Sequence, residues 1–159
     1  MPQMFVQRRG VDFNKVAREL KIDVEELKEG VLNKMADSLV KLSPVDSGTY
    51  VQNHEIGLRS GRFSATGRRD PKAPRRSRGD PVDIGAAKST ARQLLADDIA
   101  QVDLTAESFV IRNVMEYASL IEAGVTGTKT GNPPVYGATV REAPNMIQEV
   151  AQRIAARNR

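Results

Sequence analysis

Apolar residues recur at spacings of three and four over Val24, Leu27, Val31, Met35, Leu39 and Leu42, with Glu25, Lys28, Glu29, Lys34, Asp37 and Lys41 between them. That period puts the first set on one helix face and directs the second away from it. Asp23, followed by Glu26 three positions on, supplies a capping-box start in which both side chains accept from orphan amides. Pro44 supplies the stop, since it lacks an amide donor and restricts the residue before it. The pattern therefore predicts a helix of about five turns covering one side of a core, with Gly30 inside it as a weak point. A shorter amphipathic piece, Phe13, Val16, Ala17 and Leu20, precedes it.

Beyond the turn cluster Val45 to Thr49 the period changes to two. Over Tyr50 to Leu58, Tyr50, His54, Ile56 and Leu58 share one face and Val51, Asn53 and Glu55 the other, which predicts a half-buried strand. Ser108 to Val114, with Phe109-Val110-Ile111, predicts a second strand. Between the two, Ile84 to Ala100 is helical in content, with Ala87, Ala91, Leu94, Leu95 and Ile99 as its stripe and Asp83 as its cap. Tyr117 to Ala123 reads as a short helical turn stopped by Gly124, and Val125 to Pro134 as a Gly/Thr/Pro loop. A C-terminal helix carries Met146, Ile147, Val150, Ala151 and Ile154, and Pro144 suits its first turn. The expected fold class is α+β: a small antiparallel sheet packed against a long N-terminal helix and a C-terminal helix, with long extended loops.

The 159 residues form one expected domain, with an N-terminal arm and short helix over 1–22, a basic loop insertion over 59–82 and the second loop over 125–134. The net charge of +4 is unevenly placed. Arg59, Arg62, Arg68, Arg69, Lys72, Arg75, Arg76 and Arg78 face only Asp70 and Asp80 within 22 residues, so the rest of the chain is slightly acidic. Five Gly and Pro residues interrupt that stretch and Pro81 follows it, and it reads as a long functional or solvated loop. Clustered Arg suits phosphate neutralisation and equally suits carboxylates on a protein neighbour. Phe63 is the one ring in the segment, so stacking on bases is poorly provided for.

Chemistry is sparse. With no Cys there is no disulfide framework, thiolate or Cys-ligated zinc, and the single His, His54, has no second His to share a metal. His54 reads as a satisfied strand imidazole, and Asp97 with Asp98 as a solvated helix end, because adjacent helical positions do not face each other. No enzyme activity, cofactor or metal is expected; a hydrolase would need turnover that depends on His54. No apolar run approaches the length of a membrane span and the start lacks the apolar core of a signal peptide, so synthesis in the cytoplasm is expected.

Ser43-Pro44-Val45-Asp46-Ser47-Gly48-Thr49, then Gln52-Asn53, followed later by Ile111-Arg112-Asn113, Tyr117-Ala118, Ile121-Glu122-Ala123-Gly124 and Pro133-Pro134, resembles the neck and tail-completion proteins of tailed bacteriophages, the group that includes minor tail protein Z. The order and approximate spacing of the motifs match over about 42–142. Ser47 stands where the family carries Thr, Glu116 where a Pro often precedes Tyr-Ala, and the loop 126–132 is longer. The resemblance implies a structural virion protein made in the host cytoplasm and located at the head-tail junction. There it would form a homo-oligomeric ring, a hexamer or dodecamer, joining the portal or head-completion adaptor to the tail or tail-terminator, with packaged DNA passing through the lumen. It places the turn at Pro44, Val45, Asp46, Ser47 and Gly48 and the second half of the signature at Asn113, Tyr117, Ala118, Glu122 and Gly124. An exposed Glu122 before a Gly-rich loop suits an interface with Arg of a neighbour, as do the eight basic residues of 59–78. The alternative is a small nucleic-acid-binding protein that uses the Arg-rich segment 59–80.

Overall fold

The computed structural model describes residues 12–45, 49–59, 83–115, 118–126, 129–130 and 134–159. Helix α1 (Phe13–Leu20) starts on Asp12, whose carboxylate accepts from the amides of Asn14 and Lys15, and ends at Lys21 in the left-handed conformation. Helix α2 (Val24–Leu42) starts on Asp23, whose carboxylate accepts from Glu26 N at 2.8 Å. The reciprocal half of the box is not made, because the Glu26 carboxylate pairs with Arg157 instead.

Strand β1 (His54–Gly57) is shorter than its alternating pattern suggests, since Val51–Asn53 form a 3-10 turn before it. Helix α3 (Ile84–Gln101) follows, with Asp83 as its cap, accepting from Ala86 N at 2.9 Å. Then come β2 (Val110–Asn113), the short α4 (Ala118–Glu122), β3 (Val125–Thr126), β4 (Lys129–Thr130) and α5 (Val135–Arg157). β1 pairs antiparallel with β2, His54 opposite Asn113 and Gly57 opposite Val110; β3 pairs antiparallel with β4 as a separate ribbon. The class is thus mixed helix with small antiparallel sheets, compatible with α+β. The helix lying on β1 is α3, while α2 and α5 pack chiefly against each other.

Helix α2 is more central than a one-sided stripe implies. A second row, Leu32, Ala36 and Val40, packs with Val51, Ile56 and the Ala87, Ala91, Leu95 and Ile99 stripe of α3. Leu27 and Val31 pack with Ala17 of α1 and with Ile147, Val150, Ala151 and Ile154 of α5. Leu39 joins Tyr50, Met115, Ile121, Val135 and Tyr136. Lys28, expected to point to solvent, is 4% exposed. Its ammonium donates to Leu104 O at 3.1 Å and Ala106 O at 2.8 Å and lies near the Phe109 ring, so the buried charge is held by carbonyls in the loop after α3.

Four sequence expectations are corrected. β1 is buried along its whole length rather than half-buried, because the residues taken for its wet face find partners: Asn53 Nδ2 donates to Thr49 O at 2.7 Å, and Glu55 pairs with Arg112 at 2.7 Å. Asp98 is buried rather than solvated, and accepts from Ile56 N at 2.9 Å; Asp97 remains exposed and accepts from Gln93. The stretch 125–134 contains the β3–β4 ribbon rather than loop alone. Finally, α5 begins at Val135, nine residues before Pro144, which lies inside the helix at an exposed position. The true start is hidden in the sequence because its cap, Pro134, makes no side-chain hydrogen bond; the cap comes from another element.

Candidate functional site

That cap is Glu122, at the end of α4. Its carboxylate accepts from Tyr136 N at 2.9 Å and Gly137 N at 2.6 Å, satisfying two of the orphan amides that every helix start leaves. Gly137 has little room for a side chain, since an added Cβ would stand 3.1 Å from the same carboxylate. Gly124, buried with φ 85°, makes the left-handed turn that releases the chain from α4 into β3. Glu122, expected to reach a neighbouring subunit, is thus engaged within its own chain.

Tyr136, the second residue of α5, carries the site inward to His54. The imidazole is 1% exposed and lies between three elements. Nε2 is 2.6 Å from Ser43 Oγ at the end of α2, and Nδ1 is 2.6 Å from the Tyr136 hydroxyl and 3.2 Å from Asn113 Nδ2 on β2. One arrangement of protons satisfies these contacts. Ser43 Oγ donates to Leu39 O, so it accepts from His54 Nε2–H; Nδ1 is then a lone pair that accepts from Tyr136 and Asn113. The ring is neutral in that arrangement. Asn113 completes the knot, its Nδ2 also donating to Tyr50 O at 2.8 Å and its Oδ1 accepting from Met115 N at 2.9 Å. The Tyr50 ring stands edge-on to the imidazole, centroids 5.0 Å apart.

Burial, followed by repulsion from Tyr50, Glu122 and Glu55, holds the Tyr136 hydroxyl well above its ordinary titration range, against a smaller pull from its hydrogen bond to Asn113. Between about pH 10 and the folded titration point, the unfolded chain loses this proton and the folded chain keeps it. Stability is therefore full below about pH 10 and falls as pH rises, by up to roughly 1.4 kcal/mol per pH unit for one such group. Urea titrations from pH 8 to 11 should show that decline, and Tyr136→Phe should flatten it. A slope unchanged by the substitution would mean that another group governs the alkaline limb.

The oxygens and nitrogens of this cluster bond each other, and a surface groove lined by Asp12, Arg18, Lys21 and Asp23 lies away from it, at α1 and the start of α2. Among the described residues no group of three or more His, Asp or Glu could hold a metal ion, and no helix is long and apolar enough to cross a membrane.

The residues singled out from sequence fall in several places. Pro44 and Val45 are half-buried, and Val45 packs against the core between α2 and α3. Ala118 packs beside Tyr50 and Tyr136. Arg59 is exposed just beyond β1. Arg62, Arg68, Arg69, Lys72, Arg75, Arg76 and Arg78, together with Asp46, Ser47, Gly48 and Tyr117, lie outside the described residues. Tyr136 and the Ser43 hydroxyl were not singled out, although Ser43 opens the turn motif and Tyr136 follows the paired prolines at one residue's distance; Asp98 was read only as part of a solvated helix end. No family model, curated protein or solved structure matches the chain.

Proposed function

We propose that this chain is a structural protein of the neck of a tailed-phage virion, assembling as a homo-oligomeric ring that joins the portal-side adaptor to the tail. One observation carries the reading beside the sequence resemblance. The two halves of the motif series meet: Asn113 of the second half donates to Tyr50 O, immediately after the turn of the first half, and shares His54 with Ser43, which opens that turn. The motif residues thus behave as one fold-determining unit, as expected of a signature that builds a rigid body. The function is then assembly by surface complementarity, with no turnover chemistry, and the segments around Arg59–Asp80 and Val125–Pro134 are the parts that reach neighbours.

The test is native mass spectrometry and particle imaging of purified virions, with the chain expected at the head-tail junction. Its absence from the neck would sink the reading. The competing reading, nucleic-acid binding by the basic segment, rests on six excess positive charges within 22 residues. In a DNA titration it requires an affinity that falls steeply with salt and is abolished by Arg75→Ala, Arg76→Ala and Arg78→Ala together. Under the neck reading the same triple variant keeps its fold and lowers the yield of joined heads and tails.

A further inference from the structure

Helix α5 is one element held in two different ways. Its C-terminal part packs Ile147, Val150, Ala151 and Ile154 against α1 and α2, and ion pairs of Glu149 with Lys34 and of Arg157 with Glu26 tie it at the surface. Its N-terminal part is held largely by directed bonds. Glu122 grips the amides of Tyr136 and Gly137, the Tyr136 hydroxyl meets His54, and the Ser38 hydroxyl lies 2.8 Å from that of Thr139. Val135 and Tyr136 add apolar burial in the cluster around Leu39 and Tyr50.

Between Thr139 and Met146 no residue of α5 is buried: Val140 and Ala143 are half-buried, and Arg141, Glu142, Pro144 and Asn145 are exposed. Pro144 sits in the middle of that stretch. It has no amide to give to Val140 O, four residues back, and its ring crowds the same carbonyl. The helix therefore loses packing and a backbone bond at one place. An Asn145 to Glu142 side-chain bond of 3.0 Å spans the proline, but it is exposed and adds little. Bends of helices concentrate at proline for this reason, and a weakly packed stretch between two held parts is where a fold opens locally.

We propose that Pro144 is a built-in hinge and that residues 135–143 form a strap over the His54 cluster. Pivoting at Pro144, the strap releases the Tyr136–His54 and Ser38–Thr139 bonds and uncovers Leu39, Tyr50 and His54, while residues 146–157 stay packed on α1 and α2. The device stands independently of the ring reading, since it needs only one copy of the chain.

The chain has no Cys, so a buried thiol can report opening. Thr139→Cys places one under the strap and Val150→Cys one under the C-terminal part, at positions 0% and 1% exposed. The rate with a thiol reagent, divided by the rate of the same chain unfolded in urea, gives the fraction of time each thiol is open. Each fraction is compared with the unfolded fraction of that chain from its own urea titration. The thiol at 139 should be open at least about tenfold more than global unfolding allows, and the thiol at 150 no more than it allows. Adding Pro144→Ala restores the bond to Val140 O, which the strap must then break to swing, and should cut opening at 139 by at least about tenfold. If circular dichroism shows that Thr139→Cys does not fold, Leu39→Cys, 0% exposed beneath the same strap, takes its place. Opening at 139 that matches global unfolding overturns the strap. Early opening at both positions means that α5 detaches whole, which overturns the hinge. Early opening at 139 alone that Pro144→Ala leaves unchanged is fraying of the first turns, and it too overturns the hinge.

Discussion

Replacing His54 with Ala is expected to lower unfolding stability by about 3–5 kcal/mol, the largest loss foreseen for any single side chain of this protein. The ring is 1% exposed, so its removal leaves a cavity beside the Tyr50 and Tyr136 rings. Two of its partners keep a second bond: Ser43 Oγ still reaches Leu39 O, and Asn113 Nδ2 still reaches Tyr50 O. The Tyr136 hydroxyl, 2.6 Å from Nδ1, loses the imidazole that accepts its proton, and a buried donor left without that bond costs roughly 1–3 kcal/mol. Urea unfolding of the variant at neutral pH measures the total. A loss below about 1 kcal/mol, with an unchanged dependence on urea, would show that the knot contributes little.

A second substitution separates the hydrogen bond from the cavity. Tyr136→Phe keeps the ring against Val135 and Leu39 but removes the hydroxyl, and should cost about 1–2 kcal/mol. In the double variant the two losses should not add, because each removes the same Tyr136–His54 bond; a shortfall of about 1 kcal/mol is expected for groups in direct contact. Full additivity would mean that the 2.6 Å contact is geometrically present and energetically idle.

What the chain disclosed in advance follows from where each signal resides. Helices α2 and α3 were legible because their caps, Asp23 and Asp83, and their apolar rows are local in sequence. The start of α5 was not, because its cap, Glu122, belongs to another helix, leaving Pro144 as the nearest local start signal. Lys28 was assigned to solvent by the helix period and Asp98 as part of a solvated helix end; each is buried by a partner that only the fold supplies, carbonyls 76 and 78 positions away for Lys28 and an amide 42 positions away for Asp98. The same holds for β1, whose polar residues find partners on other elements and so read as a wet face. Of the candidate site, Asn113 and Glu122 were reached through the motif series, but their roles required the geometry of Tyr50, His54 and the α5 amides. Charge clustering in 59–80 is a property of composition, and it identifies a segment without saying what the segment touches.

Gly30→Val is expected to lower stability by about 3 kcal/mol, in the opposite direction to helix propensity, which favours most residues over Gly by several tenths to 1 kcal/mol. At Gly30, α2 lies close against Val150 of α5. A Cβ built there would stand 2.5 Å from Val150 Cγ1, with Val150 Cγ2 and Arg153 Nη2 at 3.5 Å. Val150 is 1% exposed, and a β-branched side chain on a helix has one strongly preferred rotamer, so it cannot swing aside. The helices must separate instead, loosening Leu27, Val31, Ile147 and Ala151 behind the contact. Gly30→Ala carries the same overlap with less bulk and should cost about 1–2 kcal/mol net of its propensity gain. Val150→Ala relieves the overlap at the expense of its own buried methyls. In that background Gly30→Ala should become neutral or stabilising by up to about 1 kcal/mol, because only the propensity term survives. Thermal or urea unfolding of the four chains in this cycle decides the matter. If Gly30→Ala stabilises the parent protein, the close approach of α2 to α5 is not what excludes a side chain there, and the glycine has some other cause.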